Sequence, residues 1–241
     1  MADIPQIFRK FVKTEKSIFT MENNYMGQLF DYLERLSWNN NREWFHENKA
    51  EFDELRALWL NDVQRLINRM AEYDNTLKGV DAKDCVYRIY RDIRFSPNKL
   101  PYKTYFSAVI AQGGRKTLKG CCYLHLQPGE CGLHGGIWCP EMPLLTRLRH
   151  EVEDNIDEFL GIIGDKEFAS RYKLSGDSLK TMPKGFDRNS PYGEYIKMKE
   201  YLVSMPVADN YFSGDDWVER TAEDFRYIKP FNDFLNYVFE E

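Results

Sequence analysis

Between Lys83 and Gly120 the chain gathers nine Lys or Arg against two acids, Asp84 and Asp92, a local balance of +7 in a protein whose net charge is −5. Such a concentration of cations suits an anion. Arginine presents paired N–H donors in a fixed fork that matches phosphate or carboxylate oxygens, and lysine adds a mobile point charge. The run Arg88-Ile89-Tyr90-Arg91-Asp92-Ile93-Arg94-Phe95, taken as an extended strand, points Tyr87, Ile89, Arg91, Ile93 and Phe95 one way. Arg88, Tyr90, Asp92 and Arg94 point the other way. Two guanidiniums, a phenol and a carboxylate would then share one face, with Asp92 holding the arginines in place or accepting a proton as a general base. The segment that follows, Ser96–Tyr105, adds Lys99, Tyr102 and Lys103 on a chain stiffened by Pro97 and Pro101, and loops fixed by a scaffold often carry ligand contacts. The candidate ligand-binding set is therefore Arg88, Tyr90, Arg91, Arg94, Lys99, Tyr102 and Lys103. The competing reading is a surface strand whose charges pair with acidic helices of the same domain, which would account well for Arg91.

Other residues add to or compete with this cluster. His125 shares strand parity with Cys121 and Tyr123. It is either an acid–base group near the basic cluster or a hydrogen-bonded sheet histidine. The run Asn39-Asn40-Asn41 precedes Arg42 at a helix start. Arg42 there could help hold an anion, while capping explains the asparagines equally well. Trp44 and Phe45 read as core and His46 as ordinary surface. Lys184, in Pro183-Lys184-Gly185-Phe186-Asp187, is a candidate accessory contact closing over the basic site. Cys121, Cys122, Cys131, His134 and Cys139 contain no Cys-x-x-Cys pair and match no zinc-ribbon spacing, so buried thiols are expected and no metal site. Neither glycine pair forms a phosphate-binding or dinucleotide fingerprint, and no motif indicates a cofactor. Gly113-Gly114 reads as a hairpin turn, and Gly135-Gly136 as a bulge or a close approach by a ligand.

The elements that must position these groups follow from periodicity. Leu29, Phe30, Leu33 and Leu36 mark a helix over Tyr25–Trp38. A long apolar stripe from Trp44 to Met70 predicts one helix from about Arg42 to Tyr73. Strands are predicted near Val86–Phe95, Tyr105–Ala111, Cys121–Gln127 and Cys131–Trp138, the last three antiparallel because their connections are short. Helices are predicted again over Pro140–Ile163, Gly193–Val203 and Asp215–Phe239. The fold class is α+β, with a mainly antiparallel sheet over about residues 86–138 packed by N-terminal and C-terminal helices. A single domain is expected over 25–241, with residues 1–24 as an N-terminal arm. Hydrophobic content of 43% and aromatic content of 15% are ample for a packed core. No stretch approaches 18 consecutive apolar residues, so no membrane span is expected. Five cysteines, two of them adjacent, without an export signal point to free thiols in the cytoplasm.

Several longer pieces together resemble a known family. Asn39-Asn40-Asn41-Arg42-Glu43-Trp44-Phe45, Arg88 to Phe95, and Lys99-Leu100-Pro101-Tyr102-Lys103 carry the likeness. So do Tyr123-Leu124-His125-Leu126, Gly135-Gly136-Ile137-Trp138 with Pro140-Glu141, and Pro183 to Asp187. In this order they are similar to the family called domain of unknown function 2461, over about residues 25–240. The resemblance implies one α+β domain and an intracellular protein, and it supplies no activity, cofactor or catalytic residue. Cys121-Cys122 and Gly129-Glu130-Cys131 depart from the family's usual texture, which makes those cysteines poor candidates for a shared function.

The leading expectation is a protein that binds a small phosphorylated or otherwise anionic ligand, with Asp92 and His125 as the residues suited to proton transfer. A nucleic-acid-binding module is the second, because basic strands interleaved with Tyr and Phe can track a backbone and stack bases. The third is an interaction protein docking an acidic partner. Neither turnover nor oligomeric state follows from the sequence.

Overall fold

A computed structural model describes residues 25–240, so the arm expected over 1–24 lies outside the described residues. Five strands, Phe106–Ile110 (β1), Cys121–Leu126 (β2), Gly132–Ile137 (β3), Lys173–Ser175 (β4) and Tyr201–Pro206 (β5), form one sheet in the order β1-β2-β3-β5-β4. All four pairings are antiparallel. Along β2, Cys122, Leu124 and Leu126 are buried while Cys121, Tyr123 and His125 are half-buried. This is the period of a strand with one face in a core.

Ten helices surround the sheet among the described residues: Tyr25–Trp38 (α1), Arg42–Glu47 (α2), Lys49–Met70 (α3), Ala82–Cys85 (α4), Met142–Asp154 (α5), Ile156–Gly164 (α6), Lys166–Arg171 (α7), Gly193–Ile196 (α8), Trp217–Arg226 (α9) and Lys229–Asn236 (α10). The α+β class is as expected. Trp59 of α3 lies edge-on to Phe106 of β1 at 6.0 Å and stacks on Trp217 of α9 at 6.1 Å, so the long helix joins sheet to C-terminal helices through buried aromatic rings. No helix among the described residues is long and apolar enough to cross a membrane.

Several boundaries differ from expectation for local reasons. The helix predicted from Arg42 to Tyr73 is broken at Asn48, whose side chain bonds the Trp44 carbonyl at 2.8 Å. Such local bonds compete with the helical ladder. The C-terminal helix likewise divides at Tyr227–Ile228, and Pro230, which has no N–H to give, sits in the first turn of α10. The segment Gly193–Val203, predicted as helix, is a single helical turn followed by β5, where Tyr201, Leu202 and Val203 are all buried between two partner strands. The sheet therefore reaches well beyond residue 138. The three residues of β4 are too few to show a period.

The predicted strand Val86–Phe95 is corrected most. It makes only two isolated bridges, Val86 with Ala108 and Tyr90 with Tyr102. Hydrogen bonds from Tyr87 N to Ser107 O, Arg91 N to Pro101 O and Lys103 N to Ile89 O tie it into an irregular ribbon. The pairing shifts by two residues between these contacts, so Thr104–Tyr105 forms a bulge.

The glycine pairs also resolve. Gly113 and Gly114 both have positive φ, at 84° and 55°, as a tight turn needs. At Gly135 a Cβ would stand 2.2 Å from Ile228 Cγ2, and at Gly136 2.0 Å from the Tyr201 carbonyl oxygen. The close approach expected there is by a helix entry and a neighbouring strand, not by a ligand.

Candidate functional site

The ribbon and the α1–α2 corner enclose a cleft of about 450 Å³ lined by Arg42, Phe45, His46, Lys49, Tyr90, Arg91, Ile93, Pro101 and Tyr102. Hydrogen bonds between the two sides run through Asn40. The Asn40 side chain donates Nδ2 to the Tyr102 carbonyl and accepts the Tyr102 N–H at Oδ1, both at 3.0 Å. It thereby does for Tyr102 what a neighbouring strand would do. Asn41 caps α2 by accepting the Trp44 N–H at 2.9 Å, which sets the first residues of that helix over the ribbon.

Arg42, Phe45, His46 and Lys49 follow the three- and four-residue spacing of a helical face. Phe45 is buried and stacks on Tyr102 with ring centroids 4.1 Å apart and planes inclined by 18°. Tyr90 meets Phe45 edge-on at 5.9 Å and Tyr102 at 5.4 Å. The floor is therefore aromatic and the rim cationic. Arg42 makes no ion pair and no side-chain hydrogen bond among the described residues. Lys49 pairs with Asp53 outside the lining. Arg91 donates to the Leu100 carbonyl at 3.2 Å and to Ser96 Oγ at 3.5 Å. No Asp or Glu occurs among the described residues of the lining.

The structure divides the residues selected from sequence. Tyr90, Arg91, Tyr102 and Arg42 come together in the cleft. The strand parity that set Tyr90 and Arg91 on opposite faces does not hold: both line the cleft, on a ribbon that bends at Ile89 and again at Arg94–Phe95. Arg94 and Asp92 engage each other at 2.9 and 2.6 Å in solvent. The hydrogen bonds from Arg94 hold the Asp92 carboxyl far below the usual carboxylate range. Asp92 thus anchors Arg94, as one sequence reading had it, and stands outside the cleft. Arg88 is exposed and also outside. Lys99 donates Nζ to the Ile93 carbonyl at 2.9 Å, bracing the bend. Lys184 is exposed in the loop before α8 and is not part of the lining.

Lys103 and His125 belong to a different group, on the sheet face that is not packed by α3. Lys103 Nζ lies 4.7 Å from the Tyr87 ring centroid and 5.5 Å from that of Tyr105. The Tyr105 ring is 4.6 Å from that of His125. His125 Nδ1 is 3.0 Å from the Tyr123 hydroxyl, and burial, with the nearby Lys103 charge as a lesser cause, pushes the imidazole down to about 4. Register sets Val109, Tyr123, His134 and Ser204 in one row across four strands. His134 Nδ1 is 3.0 Å from Ser204 Oγ, which is 2.8 Å from Ser175 Oγ. Its ring occupies the space left by Gly132, where a Cβ would stand 2.5 Å from Nε2. Burial holds His134 at about 3. Both imidazoles are neutral near pH 7, so His125 has the environment of a hydrogen-bonded sheet histidine.

His46 and Lys49 were passed over in sequence. Their signal was the spacing from Arg42, which reads as one helix face before any tertiary contact is known. Among the described residues no group of three or more His, Cys, Asp and Glu side chains could hold a metal ion.

The fold and cleft define an α+β protein with a five-stranded antiparallel sheet and a cation-rimmed aromatic cleft between its first helices and an irregular ribbon. Its sequence places it further. The chain belongs to the family described as conserved hypothetical protein (DUF2461), whose model matches residues 28–234. No curated protein and no solved structure matched the chain.

Proposed function

We propose that this protein binds a small anionic ligand, of the phosphate or carboxylate class, in the cleft between α2 and the Tyr90–Tyr102 ribbon. The observation that carries the reading is the lining itself, which has three permanent cations, Arg42, Lys49 and Arg91, and no carboxylate among its described residues. Arg42 makes no ion pair among the described residues, and a cation lining a cleft without a carboxylate favours an anion beside it. The cleft has the size and mixed apolar–polar lining of small-molecule sites. Arg42 and Arg91 supply forked donors, Lys49 a point charge, and His46 an imidazole within the same wall. The acidic remainder of the chain weighs against a large nucleic-acid footprint, because binding along a backbone needs an extended run of cations.

The test is calorimetric titration of wild type, Arg42→Ala and Lys49→Ala with inorganic phosphate, pyrophosphate and citrate at low ionic strength. At least one probe is expected to bind wild type, and Arg42→Ala to weaken it by about tenfold, the scale of one charge-assisted contact. Absence of binding by all three overturns the reading.

A further inference from the structure

We propose that the ligand of the cleft carries a planar aromatic ring beside its anionic group, as a nucleoside monophosphate does, with Tyr90 as the surface on which the ring stacks. This rests on the anion-site reading above and adds to it.

A bare inorganic anion leaves half of this cleft without purpose. It is strongly hydrated and gains nothing from an apolar wall, yet Phe45, Tyr90, Ile93, Pro101 and Tyr102 make up more than half of the lining residues. Among the three rings, two serve each other. Phe45 and Tyr102 are nearly parallel at 4.1 Å and both are buried. Tyr90 is the ring that remains available, 49% exposed while it lines the cleft. Its neighbours hold it at 65° and 53° to their own planes. Its backbone is fixed by the bridge to Tyr102, which Asn40 clamps in turn.

A tyrosine ring fixed on its backbone and open to solvent is a low-entropy platform for a second flat ring. Base-on-aromatic stacking depends only on a π-face, so it needs no particular base. The cations of α2 and of the first turn of α3 stand in the same lining as this ring, so one ligand with a heterocycle and a phosphate would meet both. A single half-exposed aromatic is common on protein surfaces. What sets Tyr90 apart is its place between a cationic rim and a wall of two packed rings.

The experiment titrates the full chain with ribose 5-phosphate and with adenosine 5′-monophosphate, using wild type, Tyr90→Ala, Tyr90→Phe and Arg42→Ala. Wild type is expected to bind the nucleotide about tenfold more tightly than the sugar phosphate, within the range of one stacked base. Tyr90→Phe keeps that ratio, Tyr90→Ala brings it to one while still binding the sugar phosphate, and Arg42→Ala weakens both probes alike. Equal affinity of wild type for the two probes overturns the aromatic-ligand proposal and leaves the anion site standing. A ratio unchanged in Tyr90→Ala also overturns it. Binding of neither probe, with none of the phosphate and carboxylate probes bound, removes both readings.

Discussion

Asn40 and Tyr102, 62 residues apart in the chain, are joined by two hydrogen bonds of 3.0 Å in which one side-chain amide satisfies both the N–H and the C=O of the tyrosine. This contact is the hinge of the cleft. It brings the α1–α2 corner, which carries Arg42, His46 and Lys49, against the ribbon that carries Tyr90, Arg91 and Tyr102. Without it the Tyr102 backbone groups face a partly buried gap, and groups left unpaired there cost about 1–3 kcal/mol.

Asn40→Ala is accordingly expected to lower stability by about 1–3 kcal/mol in urea titration. Asn40→Asp keeps the acceptor but sets a carboxylate oxygen against the Tyr102 carbonyl, so it should be destabilising as well. Anion binding in the cleft should weaken in both variants even at temperatures where they are fully folded.

Stability should fall with pH on the acid side of neutrality. The ordinary histidine value is 6.5, and the folded protein holds His125 at about 4 and His134 at about 3. Between those limits the unfolded chain takes up protons that the folded chain refuses. Stability is therefore complete above about pH 6.5 and declines as the pH drops through that value. Denaturant titrations at pH 7 and pH 5 should differ by up to about 2 kcal/mol per histidine. His134→Asn should flatten the profile. A stability independent of pH over this interval would show that the two imidazoles are not held neutral.

Arg94→Ala should leave both the melting temperature and anion binding unchanged. Arg94 and Asp92 neutralise each other in solvent, and an exposed pair of this kind contributes little. Arg42→Ala should instead weaken binding while leaving the melting temperature alone. A binding defect in Arg94→Ala would place the ligand on the bend of the ribbon and not in the cleft.

Gly136→Ala and Gly129→Ala separate two costs of the same substitution. Both glycines have positive φ, 111° and 76°. At Gly129 no atom lies within 4 Å of an added Cβ, whereas at Gly136 the Tyr201 carbonyl oxygen would be 2.0 Å away. Gly129→Ala should lose about 1 kcal/mol for the backbone conformation alone. Gly136→Ala should lose at least ~3 kcal/mol, because β3 and β5 must part. Thermal melts of the two proteins side by side check this.

The α+β class, the end of α1 at Trp38, and the strands β1, β2 and β3 to within a residue or so at each end were legible in the residues alone. Those elements have strong periods and short-range turns, so local side-chain patterns suffice to define them. The sequence also marked the basic middle of the chain and named four of the nine residues that line the cleft. Which cations line one cleft emerges only from the folded chain. Strand parity supposes regular extended geometry. The two-residue shift opposite Thr104–Tyr105 and the bends at Ile89 and at Arg94–Phe95 break that geometry, leaving Arg94 in solvent and Arg91 in the cleft with Tyr90. β5 read as helix because the residues before it carry helical spacing, and its identity came from partners on both sides. His46 reads as surface, and Lys49 carries no reading at all, because nothing on α2 or α3 announces what lies opposite. The Asn40–Tyr102 contact supplies that information, and a hydrogen bond spanning 62 residues exists only once the chain has folded.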